Sequence, residues 1–112
     1  MIVTVRGPLD SSSLGRTLIH EHILVDFSAM DITSRDKYDT DDVIEKVTPF
    51  LEDLQRFGFT RFVDCTPSYL GRDIRLLYKL SERLDMHIIT NTGYYGAAND
   101  RYVPKFAYEE RE

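Results

Sequence analysis

The apolar positions of this 112-residue chain change period several times, and each change marks an element. Ile2 to Val5 alternates apolar and polar residues and favours β-branched side chains, the two-residue period of a short strand. Gly7-Pro8 and Asp10-Ser11-Ser12-Ser13 carry turn chemistry. Met1 to Leu18 therefore reads as a β-hairpin that feeds a longer apolar run, Thr17 to Phe27, TLIHEHILVDF. Residues 28 to 39 are polar and aperiodic, with SRDKYD at their centre, and predict a loop long enough to be functional.

Helical spacing then takes over. Val43, Val47, Phe50, Leu51, Leu54 and Phe57 form one apolar stripe behind a Thr40 N-cap. Asp41 and Asp42 follow that cap, where negative charge suits the helix dipole. Pro49 is expected to kink this helix or remove one of its hydrogen bonds, and Gly58 to end it as the C′ residue. Phe59 to Cys65 is a second strand, broken by Thr66-Pro67-Ser68. Leu70-Gly71-Arg72-Asp73 leads into a second helix, with Arg72 and Asp73 capping and charging its start. Ile74, Leu77, Leu80 and Leu84 form its inner face. Met86 to Thr92 is a third strand, ended by Gly93 and followed by the aromatic loop YYGAANDRYVP. Phe106 to Glu112 begins another helix. Strands alternating with helices predict parallel βαβ units, so the fold class is α/β. Three parallel strands with two crossover helices do not close, and residues 1–112 are expected to be the N-terminal segment of a single larger domain.

Composition narrows the function classes. A hydrophobic fraction of 42% and a charged fraction of 29% suit a soluble globular protein. The net charge of −5, with basic residues scattered among acids, argues against nucleic acid or a membrane surface as partner. No apolar run reaches the length of a membrane span, and the N-terminus lacks a signal-peptide pattern. Cys65 is the sole cysteine, which excludes an internal disulfide and suits a cytoplasmic location.

The candidate chemistry sits in the Thr17–Phe27 run. His20 and His22 are two residues apart, so on a strand both point to one face, roughly 6–7 Å apart. Two imidazoles at that spacing can converge on one metal ion, and a polar pair facing inward from an apolar strand needs such a reason. Glu21 points the other way, toward the helix layer. If the domain is an α/β barrel, reactive groups gather at the C-terminal strand ends. Those ends hold His20 and His22, then Asp64, Cys65, Thr66 and Ser68, then Asn91, Thr92, Tyr94 and Tyr95. Asp64 suits either a carboxylate orienting a ligand histidine or a strand-end group bonding backbone amides. Cys65 has no visible activating partner and reads as a small buried residue. Asp26 shares the parity of the histidines, although a loop-anchoring role suits it better. His87, at the start of its strand, reads as structural. The acidic clusters at 39–45 and 109–112 read as solvated faces.

Four motifs in register give a family resemblance. T-L-x-H-E-H-x-L is preceded by V-x-G-x-L and L-G, and followed by V-D-C-T, by Gly71-Arg72-Asp73 and by Thr92-Gly93-Tyr94. This series, which spans essentially the whole chain, resembles the phosphotriesterase family of the amidohydrolase superfamily. The resemblance implies a (β/α)8 TIM barrel with a binuclear centre of divalent metal, usually two zinc ions, in which His20 and His22 bind the more buried ion. It implies a bridging lysine or glutamate, two further histidines and an aspartate from later strands, none of them within residues 1–112. Lys37, Lys46, Lys79 and Lys105 fall in loops or helices and are not credible bridges. It also implies a small-molecule phosphotriester or lactone substrate attacked by metal-activated hydroxide. Tyr95, or Tyr94 if the alignment slips by one, matches an aromatic residue beside the substrate. The alternatives are a nuclease or amidase of the same superfamily, and a non-catalytic fragment that associates with a partner or forms a homodimer through its unpaired strand edge. The chain alone is expected to be inactive.

Overall fold

The computed structural model describes residues 1–12, 15–27 and 38–109. The centre of the predicted 28–39 loop, Lys37 within it, Ser13 of the predicted turn and the last three residues of the C-terminal acidic cluster lie outside them. The element order is the predicted one, with tighter bounds.

The chain opens with a hairpin of β1 (Ile2–Thr4) and β2 (Gly7–Leu9), paired antiparallel with Ile2 opposite Leu9 and Thr4 opposite Gly7. Gly7-Pro8 is therefore strand, not turn. The Thr4 hydroxyl donates to the Gly7 carbonyl at 2.8 Å and accepts the Arg6 amide at 3.2 Å, which closes the turn one step earlier, at Val5-Arg6. The Val5 amide donates to the Ile88 carbonyl at 2.8 Å, so the hairpin anchors on the last strand of the main sheet.

That sheet has three parallel strands, β3 (Arg16–Glu21), β4 (Phe59–Asp64) and β5 (His87–Ile89), in the order β3-β4-β5. All three are shorter than the apolar runs suggest, because each run continues past its ladder into the loop that carries polar chemistry. His22 thus stands one residue beyond β3. Two helices make the crossovers: α1 (Thr40–Arg56) and α2 (Ile74–Leu84). A short α3 (Phe106–Glu109) stands where the third helix was expected to begin.

The N-cap of α1 is Asp39 rather than Thr40; its carboxylate accepts the amides of Asp41 and Asp42. Phe57 is the C-cap, and Gly58 follows with φ +85°, the left-handed C′ residue expected from sequence. The helix runs through Pro49. Glu45 and Pro49 are both exposed, so the carbonyl left without its usual donor faces water. The buried line of α1 is Ile44, Thr48 and Leu51. Phe50 and Phe57, expected inside, are 72% and 70% exposed. Phe50 lies about 100° around the helix from Leu51, on the flank of the buried stripe. α2 buries Leu76, Leu77, Leu80 and Ser81, with Leu84 packed beside them, whereas Ile74 is exposed in the first turn. Asp73 caps α2 by accepting the amides of Arg75 and Leu76, as expected.

The core lies between the helices and one face of the sheet. Leu18, Phe62 and Ile88 stand in one register row across the three strands, and Phe62 and Ile88 are buried with Leu51, Leu76, Leu77, Leu80 and Met86.

Candidate functional site

Leu18, His20 and His22 share strand parity, so strict alternation puts all three on the helix-facing side. The structure separates them. Leu18 packs against the core, while His20 and His22 line a cavity. The cause is a register shift: Leu18 lies opposite Phe62 and Glu21 opposite Asp64, so three steps along β3 match two along β4. One extra residue in a strand bends it and moves the following side chains to the other face. Both imidazoles are exposed, with ring centroids 5.5 Å apart and planes inclined at 72°. Being exposed, the two rings need no partner to offset burial, contrary to the expectation from sequence, but they do lie side by side.

The cavity, about 420 Å³, opens at the C-terminal ends of all three strands of the sheet. The end of β3 and the segment after it line the cavity with His20, His22, Val25 and Phe27; the segment after β4 adds Cys65, Pro67 and Leu70; the segment after β5 adds Asn91, Gly93, Tyr94 and Tyr95. Of the residues singled out from sequence, His20, His22, Cys65, Asn91, Tyr94 and Tyr95 come together here. The apolar wall of Val25, Phe27, Pro67 and Leu70 is not legible from chemistry-bearing residue types. It follows only from their positions just past strand ends.

Below the histidines lies a buried polar chain. His22 Nδ1 is 2.9 Å from Thr66 Oγ1, and Thr66 Oγ1 is 2.9 Å from Asp64 Oδ1. The same Asp64 oxygen accepts the amides of Ile23 at 3.3 Å and Thr66 at 3.4 Å. Thr66 and Asp64 are almost wholly buried. Burial pushes the Asp64 carboxyl above its ordinary pKa, while the Thr66 hydroxyl and the two amides pull it partly back. The two readings of Asp64 therefore coexist: it bonds strand-end amides, and through Thr66 it reaches a candidate ligand.

Three further devices hold the loops together. Asn91 donates through Nδ2 to the carbonyls of Asp64 (3.3 Å) and Thr66 (3.0 Å), and its Oδ1 accepts the Gly93 amide at 3.0 Å. Arg72 does not cap α2. Its guanidinium donates to the Asn91 carbonyl and, at 2.9 Å, to Ser68 Oγ, tying the loop after β4 to the loop after β5. Gly71 has φ +115°, and a Cβ there would stand 2.8 Å from both the Asp26 amide nitrogen and the Leu24 carbonyl oxygen. Its neighbour Leu70 accepts the Asp26 amide at 2.8 Å. The loops after β3 and β4 thus touch backbone to backbone, which only glycine allows. Asp26 anchors this contact and does not line the cavity.

Tyr94 and Tyr95 point to different neighbours. Tyr95 stacks edge-on against Phe27 at 5.8 Å and tilts over Tyr102 at 6.0 Å, while Tyr94 contacts Tyr69 and Phe106. The Tyr102 hydroxyl donates to the Phe27 carbonyl, closing an aromatic trio around Tyr95. His87 lies away from this site, 3.5 Å from the Arg6 guanidinium, which itself pairs with Asp85 at 2.9 Å. Lys46 and Lys79 lie on the helices.

The donor set fits a divalent metal in part. Two imidazoles lie side by side on a cavity wall, one of them held by a hydroxyl–carboxylate chain of the sort that orients metal-bound histidines. Among the described residues, no group of three or more His, Cys, Asp or Glu side chains is placed to hold a metal. The described residues thus offer two adjacent candidate ligands and no closed metal site. No described helix is long and apolar enough to cross a membrane.

Known proteins resemble this chain in sequence and in fold. An aryldialkylphosphatase from Saccharolobus solfataricus is 31% identical over 90 residues, covering 80% of this chain and 29% of that protein. The N-acetyltaurine hydrolase of Rattus norvegicus is 29% identical over 121 residues, covering 84% of this chain and 35% of that one. A solved structure from the engineering of organophosphate hydrolysis out of a weak promiscuous lactonase template superposes with a TM-score of 0.73. It is 28% identical, over 82% of this chain and 29% of that one. The chain spans about a third of the length of the relatives it matches. A family model, the phosphotriesterase family, matches residues 1–110, and the chain belongs to that family.

Proposed function

We propose that residues 1–112 are the opening segment of a (β/α)8 barrel whose complete form is a metal-dependent hydrolase of phosphotriesters or lactones. One observation carries this reading: a bulge turns His20 and His22 onto an apolar cavity at the C-terminal ends of three parallel strands. That is where barrel enzymes assemble their sites. His20 and His22 are the residues that would hold an ion, zinc being well suited to imidazole and the family pattern being two ions per complete site. When bound, such ions supply hydroxide near neutral pH and polarise the oxygen of the substrate. The chain's own residues do the rest of the work on this side. Val25, Phe27 and Leu70 offer an apolar wall to alkyl or aryl groups of a small substrate, and Tyr95, wedged between Phe27 and Tyr102, presents its ring at the substrate side. The lone free thiol of Cys65 supports a reducing, cytoplasmic setting.

The test is metal analysis with assays on a paraoxon-type phosphotriester, a lactone and an N-acyl amide. The complete protein is expected to cleave one of the first two, and His20→Ala or His22→Ala to remove metal and activity together. Activity retained in either variant overturns the assignment, and cleavage of the amide alone moves the protein to the amidase reading. The N-acetyltaurine hydrolase relative is what keeps that arm in the test. Residues 1–112 by themselves are expected to bind zinc weakly and turn over none of the three.

A further inference from the structure

We propose that Thr66, backed by Asp64, fixes the tautomer of His22 so that its Nε2 is the metal-binding nitrogen. The proposal rests on the reading of His20 and His22 as ligands. Asp64 Oδ1 faces two amide protons, from Ile23 and Thr66, whose direction cannot reverse. That oxygen is therefore an acceptor, and the third group pointed at it, the Thr66 hydroxyl at 2.9 Å, is its donor. A threonine hydroxyl has one proton. With that proton committed to Asp64, Thr66 Oγ1 can offer His22 only a lone pair. The 2.9 Å contact to His22 is then an Nδ1–H donation, and the neutral ring keeps its free lone pair on Nε2. A ring ligates a metal through its unprotonated nitrogen, so the choice of nitrogen is made before any metal arrives.

The arrangement is also rigid. Thr66 shows no exposed surface and Asp64 almost none, and Asn91 holds the Thr66 and Asp64 carbonyls. Thr66 and Asp64 are positioning residues: they act on the site through His22 and touch neither metal nor substrate. The chain also links two strand ends, because His22 follows β3 while Thr66 follows β4. A metal held by His22 is thereby referred to the frame of β4.

The experiment uses the full-length protein with 15N-labelled histidine rings, freed of metal by chelation, at about pH 9, where unperturbed imidazole is neutral. Two-bond proton–nitrogen correlations assign each ring's tautomer. His22 is expected as the Nδ1–H form, Thr66→Val to shift it toward the Nε2–H form, and Thr66→Ser to restore it. His87 serves as the unmoved internal reference. Zinc affinity, read by competition with a chromophoric chelator, is expected to fall about 10–100-fold in Thr66→Val and to recover in Thr66→Ser. If zinc shifts both His20 and His22 but wild-type His22 is the Nε2–H form, the relay is wrong and the metal site stands. If His22 is Nδ1–H but zinc moves neither ring, the metal reading fails and takes this proposal with it. Unchanged tautomer and affinity in Thr66→Val also overturn it. Should Thr66→Val not fold, the wild-type tautomer decides alone, an Nε2–H ring refuting the proposal.

Discussion

Gly71→Ala separates two costs that are usually confounded, because the chain contains a matched control. Gly71 and Gly7 both have φ +115°, a conformation that side chains rarely adopt. At Gly7 an added Cβ meets nothing within 4 Å. At Gly71 it meets the Asp26 amide nitrogen and the Leu24 carbonyl oxygen at 2.8 Å, with the Val25 Cα at 3.2 Å. Backbone atoms cannot swing aside as a side-chain tip can. Gly7→Ala is therefore expected to cost about 1–3 kcal/mol, the conformational penalty alone. Gly71→Ala adds displacement of one loop from another, including the loss of the Asp26–Leu70 backbone bond, worth about 0.5–1.5 kcal/mol, and overpacking of about 1–3 kcal/mol. The two variants should thus differ by about 1.5–4.5 kcal/mol in urea unfolding at unchanged m. Gly71→Ala should also weaken zinc binding, because the displaced segment runs directly on from His22, whereas Gly7→Ala should leave it unchanged. Equal destabilisation by the two substitutions would refute the claim that the loops after β3 and β4 meet at backbone distance.

Two more predictions concern the polar floor of the site. Burial raises the Asp64 carboxyl pKa in the folded protein above its ordinary value of 3.8, so the stability this shift contributes is full below that value and is lost as pH rises through the folded value. Asp64→Asn, which cannot ionise, should therefore gain on the wild type between acid and neutral pH in urea midpoints; a wild type that gains on Asp64→Asn over that range would reverse the sign. Asn91→Ala removes three hydrogen bonds and should cost about 2–4 kcal/mol, with faster amide exchange at Gly93 and Tyr94 as the local signature. Wild-type exchange in that loop would show that Asn91 does not hold it.

The parts of this molecule that were legible in its sequence are those set by local physics. The β-α-β-α-β order follows from period, Asp73 from cap chemistry and Gly58 from the left-handed C′ position. Sequence alone puts the cap of α1 one residue late, because Asp39 and Thr40 are both competent caps and only the geometry chooses. Phe50 and Phe57 were misplaced because a stripe drawn from apolar identity is wider than the line a two-layer contact can bury. Of the cavity lining, His20, His22 and Tyr95 are legible through motif and strand-end position. The Thr66–His22 bond and the Arg72–Asn91 bridge are not, since they join residues 44 and 19 positions apart and no periodicity encodes them. Thr66 carried a signal in its place just past a strand end, but its partner did not.

The bulge in β3 has a consequence for anyone who would rebuild this protein. It uncouples the strand's lower half, which answers to the core, from its upper half, which answers to the cavity. Substitutions at Thr17 or Leu18 can be chosen for packing without rotating the histidines. What must be preserved is a count: the two residues between Leu18 and Glu21, set against the single residue between Phe62 and Asp64. A one-residue insertion between Phe62 and Asp64 would equalise the counts, leave every side chain of the site intact in composition and turn His20 to the face of Leu18, toward the helices. Spacing thus sets the direction of these side chains, and a redesign scored only on residue substitutions would miss the variable that matters most.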